Sequence, residues 1–122
     1  MFVPAMKRKV YVRPHSWLAR IAARKLGSAQ IAIVFGHSIH LHNTSVAEFF
    51  AQPWWVCHEL KHVEQYERLG ILPFLFRYIL EHLRNGYQQN AFEREARAAE
   101  GDKTLLDQYD LSPYQDYMID GY

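Results

Sequence analysis

The chain has 122 residues, of which 49% are hydrophobic, 15% aromatic and 22% charged, with a formal net charge of +1. Those values describe one globular domain with a real but modest core, and the chain contains no internal repeat or low-complexity segment. Its single cysteine, Cys57, excludes an intramolecular disulfide framework and gives no reason to expect an oxidising compartment.

The predicted elements follow in chain order. Residues 7–12 alternate in character and stop at Pro14, which indicates a short strand. Ser16 is placed to cap a helix over 17–26 that ends at Gly27, with Trp17, Leu18, Ile21, Ala22 and Leu26 as its apolar stripe. Residues 29–35 form a β-rich run, and Gly36-His37 has the glycine-first form of a compact hairpin. Residues 38–43 alternate, with Ile39 and Leu41 facing one way and His40 and His42 the other.

Ser45-Val46-Ala47-Glu48 is a capping box that opens a short helix. Pro53 then suits the first turn of a helix that runs to about Leu69 and stops at Gly70, with Val56, Leu60 and Val63 as its core stripe. Pro73 opens a further helical segment that stops near Asn85-Gly86. Asn90 caps a last helix over 91–100, ended by Gly101. Residues 102–122 have weak periodicity and read as a tail.

The apolar stretch 71–83 is interrupted by Pro73, Arg77, Glu81 and His82. A membrane span needs about 20 mostly apolar residues, so this is a core helix or at most an interfacial one. Residues 1–30 hold no apolar run followed by a small-residue cleavage site, and a cytoplasmic location is expected. Charge is uneven. Lys7, Arg8, Lys9, Arg13, Arg20, Arg24 and Lys25 precede the first acid, Glu48, whereas Asp102, Asp107, Asp110, Asp116 and Asp120 dominate the end. No stripe of base-stacking aromatics accompanies the basic front, so a nucleic-acid partner is not favoured.

The chemistry concentrates in His58-Glu59-Leu60-Lys61-His62, an H-E-x-x-H pattern inside the predicted 53–69 helix. Histidines four apart on a helix lie about 40° apart around its axis, so both rings can reach one ion. Zinc takes nitrogen ligands at about 2.0–2.1 Å and wants three protein ligands in a catalytic site. Glu59 projects beside the pair, where its carboxylate can take a proton from water at the ion. Candidates for the third ligand are Glu93 and Glu95, about 200° apart on the last helix. Glu93 has a structural reading too, as the far end of an Asn90 capping box or as an ion-pair partner of Arg97.

The run from His58 to Gln65, followed by Asn90-Ala91-Phe92-Glu93-Arg94-Glu95-Ala96, resembles the HExxH-plus-Glu signature of gluzincin metallopeptidases. It resembles most their very small members, the minigluzincins, and short bacterial HExxHxxQ domains, over about residues 29–100. The resemblance implies an α+β zincin-like minimal domain: a three-stranded sheet with a backing helix, an active-site helix and a glutamate helix. It implies Zn²⁺ bound by His58, His62 and Glu93, with Glu95 as fallback. It also implies peptide hydrolysis with Glu59 as general base, and a sheet edge that receives the peptide or protein substrate. That edge would be residues 38–43, with His40 and His42 lining the cleft.

The family's larger members often carry an Asp four residues after the ligand Glu, which orients the first zinc histidine. Here that position is Arg97, so His58 must be oriented differently. Tyr87 is the candidate oxyanion-stabilising residue, with His82 second. Minigluzincins also imply latency, with residues 102–122 occupying the cleft of a 1–101 metallopeptidase domain; the alternative is a packed or frayed terminus that balances the basic front. The rival function is a catalytically silent zinc-binding module that holds a partner peptide. Three further features have structural readings. Cys57 is a small buried residue, Trp54 and Trp55 are core, and His40-x-His42 is an alternative metal pair with no third ligand.

Overall fold

Short-range chemistry starts and stops most elements of the computed structural model, which describes residues 7–111. Ser16 lies in extended backbone and accepts the Ala19 N–H, opening α1 (Trp17–Leu26), which ends at Gly27 in left-handed backbone with φ 67°. Strands β3 (Ile31–Phe35) and β4 (Ser38–His42) join through Gly36-His37. Gly36 has φ 63°, the positive value that a two-residue turn of the glycine-first kind requires. Both halves of the Ser45/Glu48 capping box form at the start of α2 (Val46–Phe50). Pro53 opens α3 (Pro53–Leu69), and α4 (Ile71–Gln89) breaks at Gly86, whose φ of 76° interrupts the helix. Asn90 accepts the Phe92 N–H to cap α5 (Ala91–Ala98).

These elements make a small α+β domain around a three-stranded mixed sheet. The segment read as one strand is two short ones, β1 (Arg8–Lys9) and β2 (Tyr11–Arg13). The sheet order is β2-β4-β3, with β2 parallel and β3 antiparallel to β4. The expectation that residues 38–43 form the substrate-receiving edge is therefore corrected. β4 has a neighbour on both sides, and the edges are β2 and β3. Ile39 and Leu41 face the core as expected. His40 and His42 alternate onto the opposite face, where His40 Nδ1 lies 2.8 Å from the Ser16 hydroxyl at the start of α1.

The buried face of α1 also departs from the expected stripe. Trp17, Ile21 and Leu26 are exposed, and Ala19 and Ala23 are buried instead. The small Ala side chains let the helix lie close to the sheet, which larger residues on that face would prevent. The core itself gathers Val12, Val34, Ile39 and Leu41 from the sheet against Val56, Leu60 and Val63 of α3.

Residues 102–111, read as the start of a tail, supply a further layer. Helix α6 (Thr104–Gln108) packs on α3, and β5 (Tyr109–Asp110) pairs in parallel with β1. Leu105 and Tyr109 are 1% and 2% exposed, so this segment adds to the core. The expected placement of residues 112–122, Asp116 and Asp120 among them, lies outside the described residues.

Candidate metal centre

α3 turns Leu60 and Val63 into the core and leaves His58, Glu59 and His62 on an adjoining, equally buried face. α5 crosses that face and brings in Glu93, 4% exposed. His58 Nε2 lies 3.0 Å and His62 Nε2 3.2 Å from the same atom, Glu93 Oε1. One ligand atom from each of the three residues falls within 4.8 Å of the others, close enough to bind a single metal ion.

The hydrogen-bond partners of the two rings decide what sits at this point. His58 Nδ1 lies 2.8 Å from Glu100 Oε2; a carboxylate accepts, so Nδ1 carries the hydrogen. His62 Nδ1 lies 2.8 Å from Gln65 Oε1. The Gln65 amide nitrogen donates to the Phe92 carbonyl and to Glu95, which fixes its oxygen as the acceptor and gives His62 Nδ1 its hydrogen too. Each neutral imidazole then aims a bare Nε2 lone pair at a carboxylate oxygen. Three electron-rich atoms at that separation in a buried pocket repel unless positive charge lies among them.

In the metal-free chain, protons supply that charge. Burial opposes the His58 cation, yet the hydrogen bond to Glu93, aided by Glu59 and Glu100, outweighs it and raises His58 to about 9. His62 is raised as well, burial being overcome by Glu93. Burial also opposes the Glu93 carboxylate, but hydrogen bonds from His58, His62 and Tyr78 hold it far below the usual carboxylate range. A divalent cation with two nitrogen ligands and one carboxylate can take the place of these protons, so the residues fit a metal.

The choice left open between the two glutamates is decided by their neighbours. Glu95 accepts from Gln65 Nε2 at 2.7 Å and from Arg68 at 3.0 Å, away from the histidines. Glu93 does not cap Asn90. Its second oxygen accepts a 2.5 Å hydrogen bond from the Tyr78 hydroxyl, which turns Oε1 toward the rings. Arg97, in the position where an orienting Asp was absent, donates to the Gln88 carbonyl. Glu100, in the turn after α5, orients His58 instead.

Sequence reasoning missed Tyr78 and Glu100. Both lie far along the chain from the residues they hold, and no spacing within one helix announces them. Replacing Glu100 by Ala is expected to weaken metal binding about 10–100-fold by freeing the His58 ring. Lys103→Ala, nearby on the chain, should leave it unchanged. Competition with a chelating dye would measure both.

Glu59 is 5% exposed. Burial raises its carboxyl to about 7, with His62 and His58 pulling it back. The cleft above it has two parts. A cavity of about 160 Å³ lies between β3 and α4, with Ile33, Val34, Tyr66 and Phe74 among its walls and Glu59 and the three candidate ligands beneath. A wider one of about 500 Å³ adjoins it past Gln30, Trp54, Arg97 and Glu100.

Tyr87 lines both cavities, and burial, then Glu93 and Glu59, push its hydroxyl above the ordinary tyrosine range. His40, His42 and His82 line neither cavity, so the expectation that His40 and His42 face the substrate cleft is corrected. Trp54 also departs from its core reading: it is 49% exposed and stacks on Trp55 at the wider cavity. Cys57 is buried as expected. Comparison of the chain with models of known families, with curated proteins and with solved structures returns no match, so the reading of this centre rests on its own geometry.

Proposed function

We propose that the chain is a zinc-dependent peptide hydrolase of the zincin-like, gluzincin type, with His58, His62 and Glu93 as ligands and Glu59 as general base. The observation that carries this reading is the convergence of two Nε2 lone pairs and one carboxylate oxygen at the floor of a cleft, with Glu59 buried beside them. Two imidazoles and a carboxylate suit zinc among the common divalent ions. When bound, zinc would supply Lewis acidity, polarising a scissile carbonyl and acidifying water.

The chain's own groups account for the rest of the reaction. Glu59 takes the proton from the attacking water and delivers it to the leaving amine. Tyr87, kept protonated in the cleft, donates to the carbonyl oxygen as negative charge develops there. β3 offers the peptide a sheet edge. In a two-residue hairpin Phe35, Ile33 and Ile31 turn their backbone groups toward β4, which leaves those of Ala32 and Val34 outward. The Val34 carbonyl is already taken by the Tyr66 hydroxyl at 3.0 Å. Ala32 is therefore the residue whose N–H and C=O pair with an added strand.

Zinc-loaded protein is expected to cleave unstructured peptides, to lose that activity on chelation and to regain it with added zinc. A gain on removing residues 112–122 would add latency to the reading. Full zinc occupancy with no cleavage, with or without those residues, would replace it by the silent zinc-held module that binds a peptide on β3.

A further inference from the structure

The helix α4 is built the wrong way round for an ordinary surface helix. Phe74 and Tyr78 turn inward. On the opposite side Leu72 and Leu83 are each 76% exposed, Phe76 70% and Ile79 54%. Their spacing of four, three and four residues confines them to an arc of about 60°, a continuous apolar ridge along the helix. Scattered exposed apolar residues are normal, but a ridge of four large ones marks an interaction surface.

Charge on the same helix indicates what covers the ridge. Arg77 and Arg84 are exposed and lie on one flank, about 100–130° from the ridge. The helix has one acidic residue, Glu81, which is half-buried and accepts from Asn85 and from the Ala91 N–H. An apolar face with a basic flank and no outward carboxylate matches the headgroup–acyl boundary of an anionic bilayer. A second copy fits less well. Two such ridges packed antiparallel would line their rim with Arg77 and Arg84 from both sides, and α4 offers them no acidic partner. No described helix is long and apolar enough to cross a membrane, so contact is at the surface.

We propose that α4 docks the protein on anionic membranes, with Leu72, Phe76, Ile79 and Leu83 entering the interface and Arg77 and Arg84 meeting lipid phosphates. The test is co-sedimentation of the full chain with vesicles of phosphatidylcholine alone or with about one-third phosphatidylglycerol, run beside sedimentation velocity of the protein alone. Binding to the anionic vesicles is expected, with at least about tenfold weaker partitioning on neutral ones and for the pair Phe76→Ser/Leu83→Ser. Arg77→Gln and Arg84→Gln should each cost about fivefold at low salt. All four positions are exposed, so the variants should keep the wild-type far-UV circular dichroism and zinc content.

Three outcomes would overturn the proposal. The first is no partitioning, or partitioning that the ridge variants leave unchanged. A dimer in solution that Leu83→Ser dissolves would assign the ridge to a second copy. Vesicle binding that appears only after residues 112–122 are removed would assign it to that segment.

Discussion

Glu93→Ala is expected to take the zinc content of the purified chain from near one ion per molecule to near none, and His58→Ala should do the same. With three protein ligands, losing one leaves a two-ligand site that cannot compete with ordinary chelators. Glu95→Ala is the internal control, because Glu95 is held by Gln65 and Arg68; it should keep its zinc. Elemental analysis of protein prepared without chelators reads all three. Zinc retained in Glu93→Ala would displace the assigned ligand set.

The same cluster fixes how the metal-free chain responds to pH. His58 is raised from 6.5 to about 9, so its contribution to stability is fully present below pH 6.5 and is lost as pH rises through about 9. Glu93 is depressed from 4.5; its contribution is present above that value and is lost as pH falls. The chelator-treated chain should thus gain most from this cluster at about pH 5–6 and lose melting temperature between about pH 7 and 9. The zinc-loaded chain should hold its melting temperature over the upper interval, because ligation needs the deprotonated rings. Parallel decline of both forms would show that zinc does not replace the His58 proton.

How much of this was legible in the sequence follows the range of the interaction involved. Ser16, Ser45, Pro53, Gly70 and Asn90 act on backbone groups within four residues, and each starts or stops its helix where the sequence places it. The His58/His62 pair was legible for the same reason, since helical geometry alone puts both rings on one face. Which strand is an edge is a different kind of fact. The alternation of Ser38–His42 gives its two faces but not its number of neighbours, and β2 closes its free side from about 27 residues away. Burial of α1 went astray through a similar gap. Trp17, Ile21 and Leu26 make the more hydrophobic stripe, yet close packing on a sheet favours the face with Ala19 and Ala23. In α4 the exposed ridge is more apolar than a buried-face rule predicts, which is why the sequence reads it as a core helix or at most an interfacial one. Tyr78 and Glu100 needed the crossing of α3, α4 and α5 to become visible as partners of Glu93 and His58.

Glu59→Gln separates the metal site from the chemistry. Glutamine keeps the size and polarity of the side chain but cannot accept a proton from water, so zinc content should stay at the wild-type level. Peptide cleavage should fall by about 10²–10⁴-fold, the usual range for losing a general base. The loss should appear in kcat, because the Ala32 edge and the apolar wall formed by Ile33, Tyr66 and Phe74 are untouched and substrate binding persists. Tyr87→Phe gives the contrast. On the proposed role it would remove one hydrogen bond to the developing oxyanion, so a loss of about 10²–10³-fold in kcat is expected with zinc again retained. The order of these effects carries the argument. If Glu59→Gln keeps wild-type turnover while Tyr87→Phe does not, proton transfer is handled elsewhere and the role assigned to Glu59 fails. If both are silent while His58→Ala abolishes cleavage, the ion and the strand edge suffice and neither Glu59 nor Tyr87 takes part in the chemistry.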